Sequence, residues 1–395
     1  MMTDTLTQST FVDTEEVVDG IAFTVSQPDL VNVLALAARV SSRKVTTLPI
    51  IKYVLLDTRD GALTISATDL DSWITIPVHT AKSINKGATT VSASDLLSLA
   101  KGLDAKAMVR LAFDKQHVNK SRITITSGNT VIHLPTLPVE DFPGLQYQTG
   151  TAWTLDAGDM REAVRHTVFA TGEQQDRAIT LGVGLSLSGG ALTATGFDGF
   201  RLAIYNWKED DPDEQDPFSC IVPTTSSRMI YDLIQNEDRI LWTLGNNQLS
   251  INIPEGPIYT TRLIEGIPID PAAIYPATFA HKVIVNRKEF LAAVRRAAHF
   301  GQTDNRLISL MIGDDIITIS TDNQMDGASF DVLPDVVITG SPITIIIDAL
   351  KFQGVVDMLP GETITLSANG PTEMVSITDP TLPEFRFVVV PITKG

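Results

Sequence analysis

The sequence has a single cysteine, Cys220, and only six histidines among its 395 residues. One cysteine excludes a disulfide framework and a cluster of thiolate metal ligands. Six scattered histidines leave little from which a zinc or di-metal site could be built. We therefore expect no metal and no other cofactor.

Long apolar runs are also lacking, and no stretch approaches the length that spans a membrane. The first 20 residues, MMTDTLTQSTFVDTEEVVDG, are acidic, contain no Lys or Arg, and have no apolar segment. This composition predicts a disordered leader over residues 1–20 and not a signal peptide. The chain is thus expected to be cytoplasmic, without membrane contact.

Basic residues are scarce, since 30 Lys and Arg face 47 Asp and Glu, giving a formal net charge of −17. This balance argues against a generally basic nucleic-acid binder, although a locally basic surface stays possible. With 43% hydrophobic residues the chain can bury a large core, and its length indicates two to four domains.

Recognisable catalytic motifs are missing as well. The sequence contains no GxGxxG after a strand, no GxxxxGK[ST], no HExxH and no GxSxG. Asp198 and Arg201 could be read as an acid and a charge clamp, but Asp198–Gly199 is typical of a turn. Asp69 and Asp322 occupy comparable hairpin ends, so a structural role is favoured and the protein is predicted not to be an enzyme.

What the sequence does contain is internal repetition. Three segments, 22-AFTVSQPDL, 152-AWTLDAGDM and 282-KVIVNRKEF, each place a capping residue after a β-type run and an acid three positions later. The caps Ser26, Asp156 and Asn286 are 130 residues apart (156 − 26 and 286 − 156). Such a period is that of a domain and not of a solenoid.

Further elements follow each cap in the same order: a helix, a hairpin, a second helix, more strands and a proline-bearing end. The pattern predicts an α+β protein of three repeated domains, each with two helices and antiparallel sheets. The predicted limits are 21–148, 149–278 and 279–395, after the leader.

Several cations lie on the two helices of each repeat, whereas 208-KEDDPDEQD and the leader are dense in acid. If the helices lie on one side, that side is mildly basic and the opposite side is acidic. A nucleic acid could then pass along the helices, held through its phosphates and without recognition of its bases. For any single residue, the alternative is that the cation only solvates a face or complements a helix dipole.

The chain resembles the family of bacterial sliding clamps, the beta subunit of DNA polymerase III. The likeness runs from about Ile21 to Pro391 and includes 47-TLPIIKYVLLDTRDGALTISATDLD, 194-ATGFDGFRLAI, 221-IVP, 262-RLIEG, 286-NRKEFLAAVRRA and 387-FVVVPIT. It implies three clamp domains per subunit and a head-to-tail homodimeric ring with helices lining the central hole. The ring would encircle duplex DNA, independently of sequence, as a non-catalytic processivity factor. An open, non-encircling interaction scaffold is the alternative.

The resemblance also implies partners and sites. The partners are the replicative DNA polymerase alpha subunit, the clamp-loader delta subunit and other proteins with clamp-binding motifs. The implied partner-peptide pocket consists of Thr180, Phe197, Gly199, Phe200, Arg201, Leu202, Ile269, Ile274, Val388, Val390, Pro391 and Ile392. The implied dimer contact joins Ile132 and Leu134 to His299 and Phe300. Together with the helix cations, the expected DNA-facing set is Arg39, Arg43, Lys44, Lys101, Arg161, Arg165, Gln174, Arg228, Arg295, Arg296 and Lys351. The expected location is the cytoplasm, at the nucleoid.

This chain departs from the family pattern within the pocket. Phe200 replaces a histidine, Phe197 replaces a small or polar residue, and Ile269 replaces a proline. The tail reads VPITKG, and Val45 stands where an arginine is often found. We therefore expect a more apolar pocket with a divergent partner motif.

Overall fold

The computed structural model describes most of the chain. The described residues are 20–41, 47–114, 121–144, 150–173, 177–188, 190–208, 217–300, 306–313, 315–323, 327–334 and 336–393. The predicted leader, up to residue 19, lies outside them. The chain divides into two compact units, Met1–Tyr147 with Glu255–Tyr259, and Gln148–Pro254 with Thr260–Gly395.

Six α-helices occur in the described part of the chain, two in each predicted repeat. They are α1 (Gln27–Val40), α2 (Ala93–Lys101), α3 (Ala157–Thr167), α4 (Thr224–Leu233), α5 (Arg287–His299) and α6 (Ala349–Met358). A 3-10 turn at Val168–Ala170 follows α3 directly.

The predicted caps of the first helices are confirmed. Ser26, Asp156 and Asn286 each accept a hydrogen bond from the backbone N–H three residues later, at 3.0–3.2 Å. These bonds satisfy donors that the first turn leaves unpaired, and so they fix where each helix begins. By contrast, α4 begins after Pro223 without a side-chain cap.

The strands of the described residues alternate with these helices. In chain order they are β1 (Ala22–Ser26), β2 (Tyr53–Asp57), β3 (Leu63–Thr68), β4 (Ser72–Val78), β5 (Lys82–Asn85), β6 (Ala88–Ser92), β7 (Met108–Asp114), β8 (Arg122–Ser127), β9 (Thr130–Pro135), β10 (Thr151–Asp156), β11 (Gly182–Ser188), β12 (Ala191–Phe197), β13 (Arg201–Lys208), β14 (Phe218–Pro223), β15 (Arg239–Leu244), β16 (Gln248–Asn252), β17 (Ile258–Arg262), β18 (His281–Asn286), β19 (Leu307–Gly313), β20 (Ile316–Asn323), β21 (Gly327–Leu333), β22 (Val337–Thr339), β23 (Ile343–Asp348), β24 (Thr363–Ala368), β25 (Val375–Thr378) and β26 (Phe385–Val389).

The strand pairing in each unit is antiparallel. The first unit has a sheet of order β5-β1-β7-β8-β9 and a run β4-β3-β2-β6. The second has a run β10-β15-β16, a nine-stranded sheet β14-β11-β12-β13-β26-β25-β24-β18-β22 and a four-stranded sheet β21-β20-β19-β23. The predicted hairpins β2–β3, β11–β12 and β19–β20 are all present.

Each first helix packs in the same way. α1 contacts β3, β4 and α2, whereas α3 contacts β12, β13 and α4, and α5 contacts β20, β21 and α6. The helix faces that make these contacts are apolar, with Leu30 and Leu34 of α1 and Phe290 of α5 almost fully buried. The three repeats therefore share one packing scheme, and the core of each lies between helices and sheet.

The second and third repeats share the nine-stranded sheet, because β13 pairs with β26. In this pairing Leu202 lies opposite Val388 and Arg201 opposite Val389. This continuity explains why both repeats fall into one compact unit. The predicted domain limits themselves stay a prediction.

Candidate functional site

The turn between β12 and β13 is built around Asp198. Its Oδ1 accepts hydrogen bonds from the backbone N–H groups of Phe200 and Arg201, both at 2.9 Å, and its Oδ2 accepts one from Arg201 Nε at 2.8 Å. Gly199 has a φ of +93°, which glycine adopts without strain. The carboxylate is thus engaged in forming the turn and in holding Arg201.

The first repeat uses the same device at Asp69. Its Oδ1 accepts from the backbone N–H groups of Asp71 at 3.1 Å and Ser72 at 2.7 Å. Burial raises the pKa of the Asp69 carboxyl above its ordinary value. The recurrence supports the structural interpretation of Asp198. The side chain of Asp322 lies outside the described residues.

Next to this turn lies an apolar cluster of side chains, which we call the hairpin groove as the candidate partner site. Its buried members are Leu202, Ile204 and Val388. The partly buried side chains Phe197, Ile274, Tyr275 and Met374 pack against them. The structure therefore brings four predicted pocket residues together, and it adds Ile204, Tyr275 and Met374, which the sequence did not single out.

The C-terminal segment closes one side of the hairpin groove. The backbone N–H of Val390 donates to the carbonyl of Phe200, and that of Ile392 donates to Ile346, both at 2.8 Å. Pro391 is buried, whereas Val390 and Ile392 are half-buried. These bonds hold the predicted tail residues against the turn and against β23.

Two predicted pocket residues are placed at the ends of other segments. Thr180 is buried, and its hydroxyl donates to the carbonyl of Arg177 at 2.8 Å. Its own carbonyl accepts from the N–H of Gly172 at 2.7 Å. Ile269 is half-buried in the segment that leads to Ile274. The bonds of Thr180 give it a structural role in addition to the predicted one.

Cations stack on aromatic rings around the hairpin groove. Phe200 is 62% exposed, and Lys351 Nζ lies 5.0 Å from its ring centroid. The guanidinium of Arg386 lies 5.0 Å from the ring of Tyr275. At these distances a cation is attracted to the face of the ring.

Lys351, which was predicted to face DNA, has a neighbour that the sequence did not reveal. It belongs to the first turn of α6, and β23 delivers that turn to the tip of the β12–β13 hairpin. The sequence shows that this lysine lies on a helix, but it does not show which residues of other elements lie beside it. Lys351 thus lies against Phe200, and its DNA-facing role stays a prediction.

Most of the other predicted DNA-facing residues are exposed, and several of them are paired. Arg39, Lys101, Arg165 and Arg228 are exposed, and Arg165 lies 3.4 Å from Glu162. Exposed Arg295 pairs with Asp357 at 2.8 Å and exposed Arg296 with Asp331 at 2.6 Å. Arg43, Lys44 and Gln174 lie outside the described residues.

Arg161 has a contact that the sequence did not reveal. Its Nη1 donates to the carbonyls of Ile234 at 2.5 Å and Glu237 at 2.9 Å, beyond the end of α4. Gln27 makes the corresponding contact in the first repeat, to the carbonyl of Ala100, and Arg287 makes it in the third, to Gly361. In each repeat the beginning of the first helix is therefore tied to the end of the second, and the guanidinium of Arg161 serves packing.

Two strands form sheet edges with exposed apolar side chains. β9 is the edge of the five-stranded sheet, where Val131 is 57% exposed and Ile132 and Leu134 are half-buried. β21 is the edge of the four-stranded sheet, where Phe330 is 71% exposed. An exposed apolar edge is a ready surface for pairing with another chain.

His299 and Phe300 end α5, and their rings stack edge to face with centroids 5.2 Å apart. His299 is exposed and Phe300 is half-buried. These predicted dimer residues thus form a compact pair at the helix end.

Within the described ranges, no three His, Cys, Asp or Glu side chains are grouped so that they could hold a metal ion. The one cysteine, Cys220, is buried, and burial raises the pKa of its thiol to about 12. A search of the same residues finds no helix that is long and apolar enough to cross a membrane.

Comparison with known proteins covers nearly the whole chain. Residues 21–146 match the N-terminal domain of the DNA polymerase III beta subunit, 154–268 its central domain and 272–393 its C-terminal domain. The beta sliding clamp of Escherichia coli is 25% identical over 348 residues, covering 88% of this chain and 93% of that protein. That of Pseudomonas aeruginosa is 26% identical over 303 residues, covering 76% and 80%.

Solved structures give the same fold. The Pseudomonas aeruginosa clamp bound to griselimycin has a TM-score of 0.87 at 23% identity, covering 95% of this chain and 100% of that one. The Bacillus subtilis clamp has a TM-score of 0.87 at 21% identity, with the same coverage.

The described residues thus form repeated α+β units with two exposed sheet edges and an apolar cluster beside the β12–β13 turn. The chain belongs to the DNA polymerase III beta subunit family. It is a DNA sliding clamp, a non-catalytic processivity factor that binds DNA and the replicative polymerase. The predicted family, fold class and absence of catalysis are confirmed, and the sliding clamp is supported over the open scaffold.

Proposed function

We propose that this clamp uses its helix pairs to face duplex DNA and the hairpin groove to hold its partners. The observation that carries the first part is the position of exposed cations on a chain of net charge −17. Arg39, Lys101, Arg165 and Arg228 all project from helices of the first and second repeats. Diffuse attraction of this kind retains DNA without fixing a register, which permits sliding.

Ring closure follows from the two sheet edges. We propose that β9 of one subunit pairs with β21 of a second copy in a head-to-tail homodimer. Val131, Ile132 and Leu134 would then meet Phe330, His299 and Phe300 of the partner copy. Such pairing satisfies the open backbone groups of both edges and buries exposed apolar side chains.

The hairpin groove suits a short linear peptide. Its partly buried apolar side chains favour Leu or Phe anchors, and exposed Phe200 offers a ring against which an anchor can pack. Lys351 and Arg386 at the rim favour a peptide with an acidic or polar residue beside the anchor. We assign this groove to the polymerase alpha subunit, the clamp-loader delta subunit and other motif-bearing partners.

The proposed domains are 21–148, 149–278 and 279–395. Because bacterial DNA replication takes place at the nucleoid, we propose that the protein works there, in the cytoplasm. Tethering the polymerase near the primer end raises its effective concentration, so processivity arises without catalysis.

The test combines sedimentation with primer extension. We expect a dimer at working concentration and longer extension products when the clamp is loaded with its cognate polymerase. The Phe200→Ala variant should stay dimeric and lose the longer products. A wild-type protein that sediments as a monomer and leaves product length unchanged would contradict the proposal.

A further inference from the structure

His166 is a buried histidine that the binding surfaces described above do not use. It lies on α3 with 1% of its surface exposed, and its Nδ1 lies 2.8 Å from the carbonyl of Glu162, one turn earlier on the same helix. Its ring stacks on that of Tyr205 in β13, with centroids 5.4 Å apart, and packs at a tilt against Phe385 in β26, at 5.0 Å. Because Tyr205 and Phe385 are paired across β13 and β26, the imidazole lies over the junction of these two strands.

The same strand pair carries the hairpin groove on its other face. Successive residues of a strand point to opposite faces of a sheet. Tyr205 and Phe385 therefore face α3, whereas their neighbours Ile204 and Val388 are buried members of the groove. The guanidinium of Arg386, also on the groove side, lies over an aromatic ring of the groove. Since packed elements transmit displacement, a shift of the strands on the α3 side also shifts the groove.

The surroundings of His166 disfavour a charge on the imidazole. Burial lowers its pKa below the ordinary value, and Arg165 acts in the same direction. Glu162 opposes them through its carbonyl and through a carboxylate oxygen 3.4 Å from Nδ1. That carboxylate is 41% exposed, so water screens its attraction.

The two strands present neutral rings to the imidazole. From β13 the titratable group is Tyr205, and burial raises its pKa to about 12, so the phenol stays neutral. The carboxylates of Asp159, Glu162 and Glu384 act on Tyr205 in the same direction. From β26 the facing side chain is the uncharged ring of Phe385. Attraction of an imidazolium to these rings offsets only part of the cost of removing it from water.

We propose that His166 makes the hairpin groove pH-sensitive. With a neutral imidazole, α3 packs on the β13–β26 pair and the groove is formed. Protonation of His166 favours a loosened junction in which the imidazolium reaches water, and the groove then holds a partner peptide less tightly. Peptide binding and proton uptake at His166 thus oppose each other. The proposal rests on the proposed role of the groove in partner binding and adds a regulation of that site.

The test is isothermal titration calorimetry of one peptide of the cognate polymerase at about pH 7.5 and about pH 5.5, on either side of the ordinary titration of histidine. The variants are His166→Phe, which keeps an aromatic ring but does not titrate, and His166→Gln, a smaller side chain that does not titrate either. His281→Gln is the matched control, because His281 is a histidine of the same compact unit that lies at the Ser341 carbonyl. Circular dichroism at both pH values checks that each protein is folded.

One proton that binds with the ordinary histidine pKa of 6.5 changes the Kd by at most about tenfold between these pH values. On acidification, the Kd of the wild type should therefore rise about 3- to 10-fold more than that of either His166 variant. The peptide's own titration is common to all the proteins and cancels in this comparison. His281→Gln should show the wild-type rise. Equal changes of Kd in the wild type and the His166 variants would overturn the proposal.

The affinity at the higher pH separates this proposal from the proposed function. If the peptide does not bind the wild type, or binds Phe200→Ala equally well, the groove is not the partner site and both proposals fail. If binding depends on Phe200 but its pH dependence does not depend on His166, only the pH-sensitive device fails. Acid unfolding of the wild type that the His166 variants resist would show that His166 acts on the whole fold, and would overturn a local effect on the groove.

Discussion

Phe200 at the tip of the hairpin groove gives the sharpest prediction for a point substitution. The side chain is 62% exposed and makes a cation–π contact with Lys351. Burying a whole Phe side chain stabilises by about 1.5–3 kcal/mol, so covering its exposed fraction with a peptide contributes about 1–2 kcal/mol. Phe200→Ala should therefore raise the Kd of a partner peptide by about 5- to 30-fold.

The same geometry predicts a small effect on folding. The minor buried fraction of Phe200 and an exposed cation–π contact together contribute about 1–2 kcal/mol to the free energy of unfolding. Isothermal titration calorimetry with a peptide of the cognate polymerase measures the affinity. Phe330→Ala is the matched control, because Phe330 is also an exposed phenylalanine but lies on the β21 edge. An unchanged Kd in Phe200→Ala would refute the assignment of Phe200 to the site.

Three further predictions concern the repeats and the sheet edge. Arg161→Ala leaves two carbonyls without their charged donor and should lower the free energy of unfolding, measured in urea, by about 1.5–3 kcal/mol. The control Arg295→Ala removes an exposed ion pair and should lower it by about 0–1 kcal/mol. Equal losses in the two variants would contradict the packing role of Arg161. Burial lowers the pKa of His166 below its ordinary 6.5, so as pH falls the unfolded chain binds a proton before the folded chain does. The free energy of unfolding should therefore fall as pH drops through 6.5, by at most about 1.4 kcal/mol per pH unit. His166→Gln should flatten that decline in urea titrations, and an unaltered pH profile would rule His166 out as its source. Phe330→Asp should weaken the dimer by about 1–3 kcal/mol, which is about 5- to 150-fold in the dimer dissociation constant measured by sedimentation. The control Ile267→Asp, also at an exposed apolar position, should leave the dimer unchanged. Equal dissociation constants in the two variants would remove β21 from the interface.

The fold was predictable from the sequence where local physics determines it. Ser26, Asp156 and Asn286 each accept a hydrogen bond from the backbone N–H three residues later, so a short sequence motif predicts where each helix begins. The Asp198–Gly199 turn is likewise local. Repetition of these signals in one order then gave the three-repeat architecture.

The candidate site was only partly predictable, because its contacts join distant segments. Tyr275 and Met374 reach the hairpin groove through tertiary packing that no spacing records. Arg161 looked like a surface cation, since carbonyls more than 70 residues away leave no local signal. The contact of Lys351 with Phe200 left no local signal for the same reason.

The most direct test of the central claim is retention on DNA of defined topology. The clamp is loaded on nicked circular DNA, separated from free protein by gel filtration, and the DNA is then cut once. A topologically linked ring predicts co-elution with the circle and loss after linearisation, because the weak phosphate contacts do not hold it on an open end. Equal retention before and after the cut would contradict encirclement.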